Sequence, residues 1–156
     1  MMPIKNRFIE KVILPLSDLI TGNSVYRCLQ FLNKSQYWSR EEIDNYQNAK
    51  LRELIHHAYT HVPFYRELFL NLGLKPEDIK TKDDLTKIPI TTKDDLRRNK
   101  NKHLATNIAR NTLLYQSSSG STGEPLFYMT TKEAYSMNIA ANLRGWYWMS
   151  YRLGDK

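Results

Sequence analysis

The hydrophobic positions of the chain predict helices through most of its first half. Apolar residues recur every three or four positions over 43–62, which is typical of a long amphipathic helix. Residues 39–42 have the composition of a capping box at its start, and Pro63 marks its end. Residues 64–69 then predict a short second helix, closed by Gly73.

The segments before and after these two helices have hydrophobic patterns that predict shorter helices. The apolar residues between 8 and 20 predict an amphipathic lead helix that is interrupted at Pro15. Residues 75–102 consist of short polar pieces, in which Thr81 and Thr92 are each placed to cap one or two turns of helix. We therefore expect a row of small surface helices here.

A β-hairpin and a third long helix complete the pattern. Residues 112–116 and 126–130 predict two strands joined by a Ser/Gly-rich loop. Residues 132–149 are apolar on nearly every face, which predicts a helix buried all round. Its aromatic residues are interpreted as core rather than as an acyl pocket: Trp146, Tyr147, Trp148 and, just beyond, Tyr151. The predicted fold class is α/β, with N-terminal helices followed by a hairpin and a long buried helix.

Composition narrows the classes of protein that this chain could represent. Its 156 residues are 41% hydrophobic and 12% aromatic, which predicts one folded domain rather than a disordered chain. The single cysteine, Cys28, excludes a disulfide framework and a multi-cysteine zinc site, so we expect a cytoplasmic protein. No apolar run is long enough to span a membrane.

The segment Ser117–Pro125, with the sequence SSSGSTGEP, has the most specific chemical pattern in the chain. Gly120 and Gly123 allow positive φ and a close approach to an anion, so that successive N–H groups can point into one concavity. The spacing does not fit a Walker loop, a dinucleotide fingerprint or a nucleophile elbow. The segment is therefore a candidate phosphate site, and a flexible hairpin loop is the alternative that its composition leaves open.

Residues 118–125 resemble the phosphate loop of the adenylate-forming acyl ligases, which reads Ser/Thr-Ser-Gly-Ser/Thr-Thr-Gly-x-Pro between two strands. The resemblance extends from about residue 36 to Asp155. Upstream of the loop the sequence resembles the phenylacetate-CoA ligase branch of these enzymes. Within that branch it is most similar to the CapK-like group of capsule biosynthesis. One position departs from the pattern, because Leu126 follows the proline where many members have lysine. The upstream motifs are Trp38–Ile43, Val62–Arg66, Asp83–Pro89 and Thr92–Arg97.

The resemblance implies a reaction in which a carboxylate attacks the α-phosphate of ATP, giving an acyl-adenylate and pyrophosphate. In most members the acyl group then passes to CoA, and Mg²⁺ assists the phosphate chemistry. Residues 1–38 are expected to form lead helices. The resemblance assigns 39–156 to the start of an AMP-binding domain and implies an N-terminal fragment that is inactive alone. It assigns no catalytic residue and no metal ligand, and it leaves the acyl substrate open. The implied nucleotide-binding residues are Ser118, Ser119, Gly120, Ser121, Thr122 and Gly123.

Two other groups of residues suggest different chemistry. His57 and His61 have a spacing that can hold a metal on one helix face, but no third ligand accompanies them, so a structural pair is favoured. The net charge is +7, and residues 97–110 include five Lys and Arg but no acid. This run predicts a solvated face. The alternative function is a small basic module that binds nucleic acid or an anionic polymer, although no interleaved aromatic residues support nucleic acid.

The hairpin and the last helix also predict an exposed apolar surface. Leu113, Tyr115, Phe127 and Met129 alternate as though one face of the hairpin were covered by another element. We therefore expect an apolar patch around the hairpin and the tryptophans of the last helix, with self-association in solution.

Overall fold

The computed structural model describes residues 3–119 and 125–155. In these residues the chain is mostly helical and has one small, two-stranded antiparallel sheet, so the prediction of helices followed by a hairpin is confirmed. The α-helices are α1 (Ile4–Phe8), α2 (Leu14–Thr21), α3 (Val25–Ser35), α4 (Arg40–His61), α5 (Pro63–Asn71), α6 (Lys93–Arg98) and α7 (Lys132–Trp148). The strands are β1 (Leu114–Ser117) and β2 (Phe127–Thr130), and three 3₁₀ helices span Pro76–Asp78, Lys82–Lys87 and Arg110–Thr112.

The described residues divide into two compact units. The first unit contains residues 3–38, 112–116 and 128–155, and the second contains 39–111, 117–119 and 125–127. The chain therefore enters the second unit after Trp38, is again in the first unit over 112–116, and passes through the second once more at 117–119 and 125–127.

The lead helix of the first unit continues through Pro15, so the predicted interruption is wrong. A π-helical turn over Ile9–Ile13 joins α1 to α2, and the N–H of Leu14 bonds the carbonyl oxygen of Ile9. Proline lacks the N–H of a regular helix, and its ring clashes with the carbonyl group four residues earlier. The wider turn before Pro15 accommodates the ring without ending the helix.

The core of the first unit lies between α3 and α7. Leu29 and Ala140 are fully buried there, as is the side chain of Ser136. The Ser136 hydroxyl accepts a hydrogen bond from the N–H of Ser24 at 3.0 Å and donates to the carbonyl of Lys132 at 2.6 Å. A polar group that is buried in this way needs such partners, since an unpaired one would cost stability. The other buried members of the cluster are Val25, Cys28 and Leu143.

Only one face of α7 is buried, which corrects the prediction that this helix is buried all round. Tyr147 packs against the core cluster, but the side chains of Trp146 and Trp148 are 45% and 68% exposed. The core interpretation is therefore wrong for these two tryptophans. The expected exposure of apolar residues at the hairpin and at α7 is confirmed for Tyr115, Phe127, Met129, Trp146 and Trp148.

The second unit is built on the predicted pair of helices α4 and α5. The Ser39 hydroxyl accepts from the N–H of Glu42, and the Glu42 carboxylate accepts from the N–H of Ser39, so the capping box is confirmed. At the end of α5, Gly73 has a φ of +65°. The N–H of Leu74 bonds the carbonyl of Phe69 at 2.9 Å, as in a Schellman motif. Phe69 packs with Ile55 and Ile79 to form the core of this unit.

The expected short polar helices follow α5. Thr92 caps α6, and its hydroxyl accepts from the N–H of Asp95 at 3.2 Å. Thr81 occupies the equivalent position before the 3₁₀ helix Lys82–Lys87, where the carboxylate of Asp84 accepts from its N–H at 3.0 Å. Both threonines therefore stand at the helix starts at which they were expected.

Over the described residues, none of the helices combines the length and the apolar composition that crossing a membrane requires.

Candidate functional site

A pair of hydrogen-bonded residues, Ser118 and Leu126, closes the candidate phosphate segment near its two ends. The N–H of Ser118 donates to the carbonyl of Leu126 at 2.9 Å, and the N–H of Leu126 donates to the Ser118 hydroxyl oxygen at 2.9 Å. Both ends of the segment are therefore held together directly beyond the paired strands. A serine suits this place because its short side chain can accept from a nearby backbone N–H while its own O–H still donates.

The structure locates part of the predicted site. Ser118 is half-buried beside Leu126, and Ser119 is exposed. Pro125, at the end of the segment, is exposed as well. The other four predicted nucleotide-binding residues lie outside the described residues: Gly120, Ser121, Thr122 and Gly123.

A pocket of about 280 Å³ lies against the exit of this segment, within the second unit. Arg97 and Lys100 provide its two cationic side chains. The rest of its lining is apolar and consists of Leu96, Pro125, Leu126 and Phe127. The basic run 97–110 was expected to form a solvated face, and its pattern did not predict that two of its cations would lie beside the candidate phosphate segment.

Local hydrogen bonds fix the position of the helix that carries these cations. The capping box at Thr92 and Asp95 starts α6, and the Thr92 hydroxyl donates to the Asp95 carboxylate at 2.6 Å. This hydrogen bond, followed by that from the N–H of Thr92, lowers the pKa of Asp95. After α6, the carbonyl of Lys102 accepts from the N–H of Phe64 at 3.0 Å, which ties the following turn to the start of α5.

Several residues of the basic run interact with their own unit. Arg97 forms an ion pair with Asp94 at 3.2 Å, and the Nε of Arg98 donates to the backbone carbonyl of Asp94 at 3.4 Å. Lys102 donates to both carboxylate oxygens of Glu67, at 2.8 and 3.0 Å. These pairs reduce the positive field that the run presents to a polyanion, compared with its formal charge.

His103, at the end of this group, is packed inward against aromatic rings. Its ring centroid lies 3.9 Å from that of Phe64 and 5.8 Å from that of Tyr65. Burial lowers the pKa of His103, against the opposing effects of a backbone hydrogen bond and the charge of Asp95. The imidazole therefore favours its neutral form and adds little charge to the basic run.

The structure assigns no metal centre to the described residues. His57 and His61 lie side by side on α4, with ring centroids 5.2 Å apart. In the parts of the chain that the structure describes, however, three or more His, Cys, Asp and Glu side chains nowhere come together as a metal site would require.

Comparison with known proteins finds phenylacetate-coenzyme A ligases among the relatives of this chain. No family model matches the chain. The chain is 36% identical over 87 residues to the phenylacetate-coenzyme A ligase of Pseudomonas putida and 37% identical over 87 residues to that of Escherichia coli strain K12. The match to the phenylacetate-coenzyme A ligase of Thermus thermophilus is 34% identical over 93 residues. Over these residues the chain is thus similar in sequence to phenylacetate-coenzyme A ligases.

These matches cover 56% to 60% of this chain but only 20% to 21% of the relatives. The chain therefore spans about one fifth of the length of the curated relatives it matches. Among solved structures, a 2-hydroxyisobutyryl-CoA ligase in complex with 2-HIB-AMP and CoA is similar, with a TM-score of 0.48 and 24% identity. That similarity covers 60% of this chain and 21% of the ligase.

Proposed function

We propose that this chain is part of an ATP-dependent, carboxylate-activating ligase of the phenylacetate-CoA ligase type. The observation that carries the proposal is its identity of 34% to 37% with three phenylacetate-coenzyme A ligases over 87 to 93 residues. The segment Ser118–Pro125 supports it, since a loop of hydroxyl side chains and glycines between two strands is suited to phosphate.

In the proposed reaction, the segment binds the phosphates of ATP while a carboxylate attacks the α-phosphorus. Preorganised donors stabilise the negative charge that develops on the departing pyrophosphate and hold the phosphorus in line for attack. Ser118, Ser119, Ser121 and Thr122 are the proposed hydroxyl donors. Gly120 and Gly123 are the proposed positions at which the backbone approaches the phosphates closely.

The described residues fit a phosphate group better than they fit a metal ion. The Ser118 O–H remains able to donate, and Arg97 and Lys100 bring positive charge to the neighbouring pocket. Mg²⁺ is proposed as a partner of the ATP phosphates, because this ion is held in such sites mainly by phosphate and water oxygens. We therefore assign no side chain of this chain to the metal.

The acyl acceptor, the biological role and the domain bounds are proposed from the resemblance of the sequence to these ligases. CoA is the proposed acyl acceptor, and the CapK-like pattern supports a role in the biosynthesis of capsular polysaccharide. Residues 39–156 are proposed to begin an AMP-binding domain, preceded by lead helices in 1–38. The chain by itself is proposed to be catalytically inactive, because the resemblance places the recognition of adenine and the catalytic lysine in other segments of such enzymes.

Titration of the 156-residue chain with MgATP and with single-stranded DNA, across a series of salt concentrations, tests the proposal. We expect MgATP to shift the amide NMR signals of Ser118, Ser119 and Leu126, with millimolar affinity. DNA is expected to bind weakly or not at all. A steep salt dependence of DNA binding, together with no response to MgATP, would instead identify the basic binding module.

A further inference from the structure

The pocket beside the candidate phosphate segment has the chemistry of an anion site. Arg97 lies in the last turn of α6, and Lys100 follows in the next turn of the chain. Both line the pocket together with Leu126 and Phe127 from the exit of the segment. An arginine presents a planar fork of donors and a lysine a compact charge, so the two can bind different oxygens of one phosphate.

The charge of the candidate phosphate segment favours a contribution from these cations to the binding of a phosphate. Between Ser117 and Phe127 the sequence contains hydroxyl side chains and glycines, one acid, Glu124, and no Lys or Arg. The segment can therefore offer neutral donors to a phosphate, but its own formal charge is negative. In addition to Mg²⁺ and backbone N–H groups, positive side chains from another part of the unit would strengthen the binding of a multiply charged anion there, and the pocket provides two of them.

We propose that Arg97 and Lys100 form the cationic wall of a phosphate subsite whose other wall is Pro125–Phe127. This inference rests on the proposed function, because the phosphate belongs to the nucleotide that the neighbouring segment binds. The subsite adds to the proposed function that Arg97 and Lys100 supply the positive charge that faces the phosphate.

The surroundings of the two cations agree with this role. The ion pair between Arg97 and Asp94 lies at the surface, where the Asp94 side chain is 69% exposed, so it is a weak competitor for a phosphate. The apolar side chains Leu96, Leu126 and Phe127 line the same pocket and make the surroundings of the two cations less polar, which strengthens the attraction between a cation and a phosphate. Arg98 does not line the pocket and contacts the backbone of Asp94 instead.

Binding of tripolyphosphate and of MgATP to the 156-residue chain, followed by NMR and calorimetry, tests the subsite. The variant Arg97→Gln/Lys100→Gln is expected to bind both ligands at least about 10-fold more weakly, since charged hydrogen bonds are lost. Arg98→Gln removes one positive charge, where the double variant removes two, from the same helix outside the pocket, and it is expected to change the affinity less than about 2-fold. A circular dichroism melt of each variant confirms that it is folded.

A rescue variant separates the subsite from a general effect of charge. Leu126→Lys in the Arg97→Gln/Lys100→Gln background returns one cation to the same pocket, and we expect it to recover part of the lost affinity. The subsite is wrong, and the proposed function stands, if wild type binds MgATP and the double variant binds it equally well. Equal losses in the double variant and in Arg98→Gln would also overturn it. If wild type binds neither ligand at millimolar concentration, the phosphate function of the segment itself is wrong.

Discussion

The hydroxyl group of Tyr147 donates a hydrogen bond of 2.7 Å to Oε2 of Glu10. The bond joins α7 to the π-helical turn of the lead helix, and it lies within the first unit. Glu10 is buried there, with 8% of its surface exposed. Burial, followed by the hydrogen bond to Glu10, raises the pKa of Tyr147, so the phenol remains a donor throughout the physiological range.

Removal of this donor is expected to destabilise the chain. Tyr147→Phe keeps the ring but leaves a buried carboxylate without its partner, which we expect to lower the free energy of unfolding by about 1 kcal/mol. Urea unfolding monitored by circular dichroism measures the change. Tyr37→Phe is the matched control, since Tyr37 is 84% exposed and we expect no measurable effect there. Equal stabilities of wild type and Tyr147→Phe would contradict the structural role of the bond.

Adjacent residues of α5 provide a test of the second core. Phe69 is 1% exposed and packs against Ile55 and Ile79, whereas Leu70 is 61% exposed. Phe69→Ala is expected to cost about 3–5 kcal/mol, through lost burial and the cavity left behind. Leu70→Ala is expected to cost no more than about 0.5 kcal/mol. The two values come from urea titrations under one set of conditions, and similar losses in both variants would place the core elsewhere.

The parts of the fold that sequence predicted are those that neighbouring residues determine. The capping boxes at Ser39 and Thr92 each need only a hydroxyl and a carboxylate three residues apart. The end of α5 needs a glycine that accepts positive φ, which is Gly73. Such signals are complete within one helical turn, so the tertiary structure confirms them without changing them.

The failures concern relationships between distant residues. The apolar residues of α7 lie on nearly every face, and this pattern does not indicate which face a partner helix covers, so Trp146 and Trp148 were wrongly assigned to the core. The pocket that Arg97 and Leu126 line depends on how α6 packs beside the start of β2. The spacing of hydrophobic residues along the chain carries no information about that packing. The absence of positive charge between Ser117 and Phe127 was the one sequence signal that could have directed attention to cations elsewhere.

The exposed end of α7 predicts association between molecules. Trp148 and Met149 are 68% and 72% exposed, and apolar side chains grouped in this way favour contact with another surface. We expect analytical ultracentrifugation to show association that increases with concentration, accompanied by binding of a hydrophobic dye. Trp148→Gln/Met149→Gln should reduce both. Ile90→Gln is the control, because Ile90 is 91% exposed in the other unit, and an equal effect there would contradict a specific patch.

The packing of His103 predicts how stability depends on pH. Burial against Phe64 lowers the pKa of the imidazole in the folded chain, whereas in the unfolded chain the value is about 6.5. Between these two values the unfolded state binds more protons. The stability contributed by the neutral ring is therefore complete above the unfolded pKa and is lost as the pH falls through the folded pKa.

An NMR titration should place the midpoint of His103 in the folded chain below its midpoint in urea. His103→Phe keeps the stacked ring but cannot be protonated, so its free energy of unfolding should fall less than that of wild type between about pH 7 and pH 5. A His103 midpoint equal to or above the value in urea would contradict this prediction, because burial against Phe64 would then not outweigh the opposing effect of Asp95.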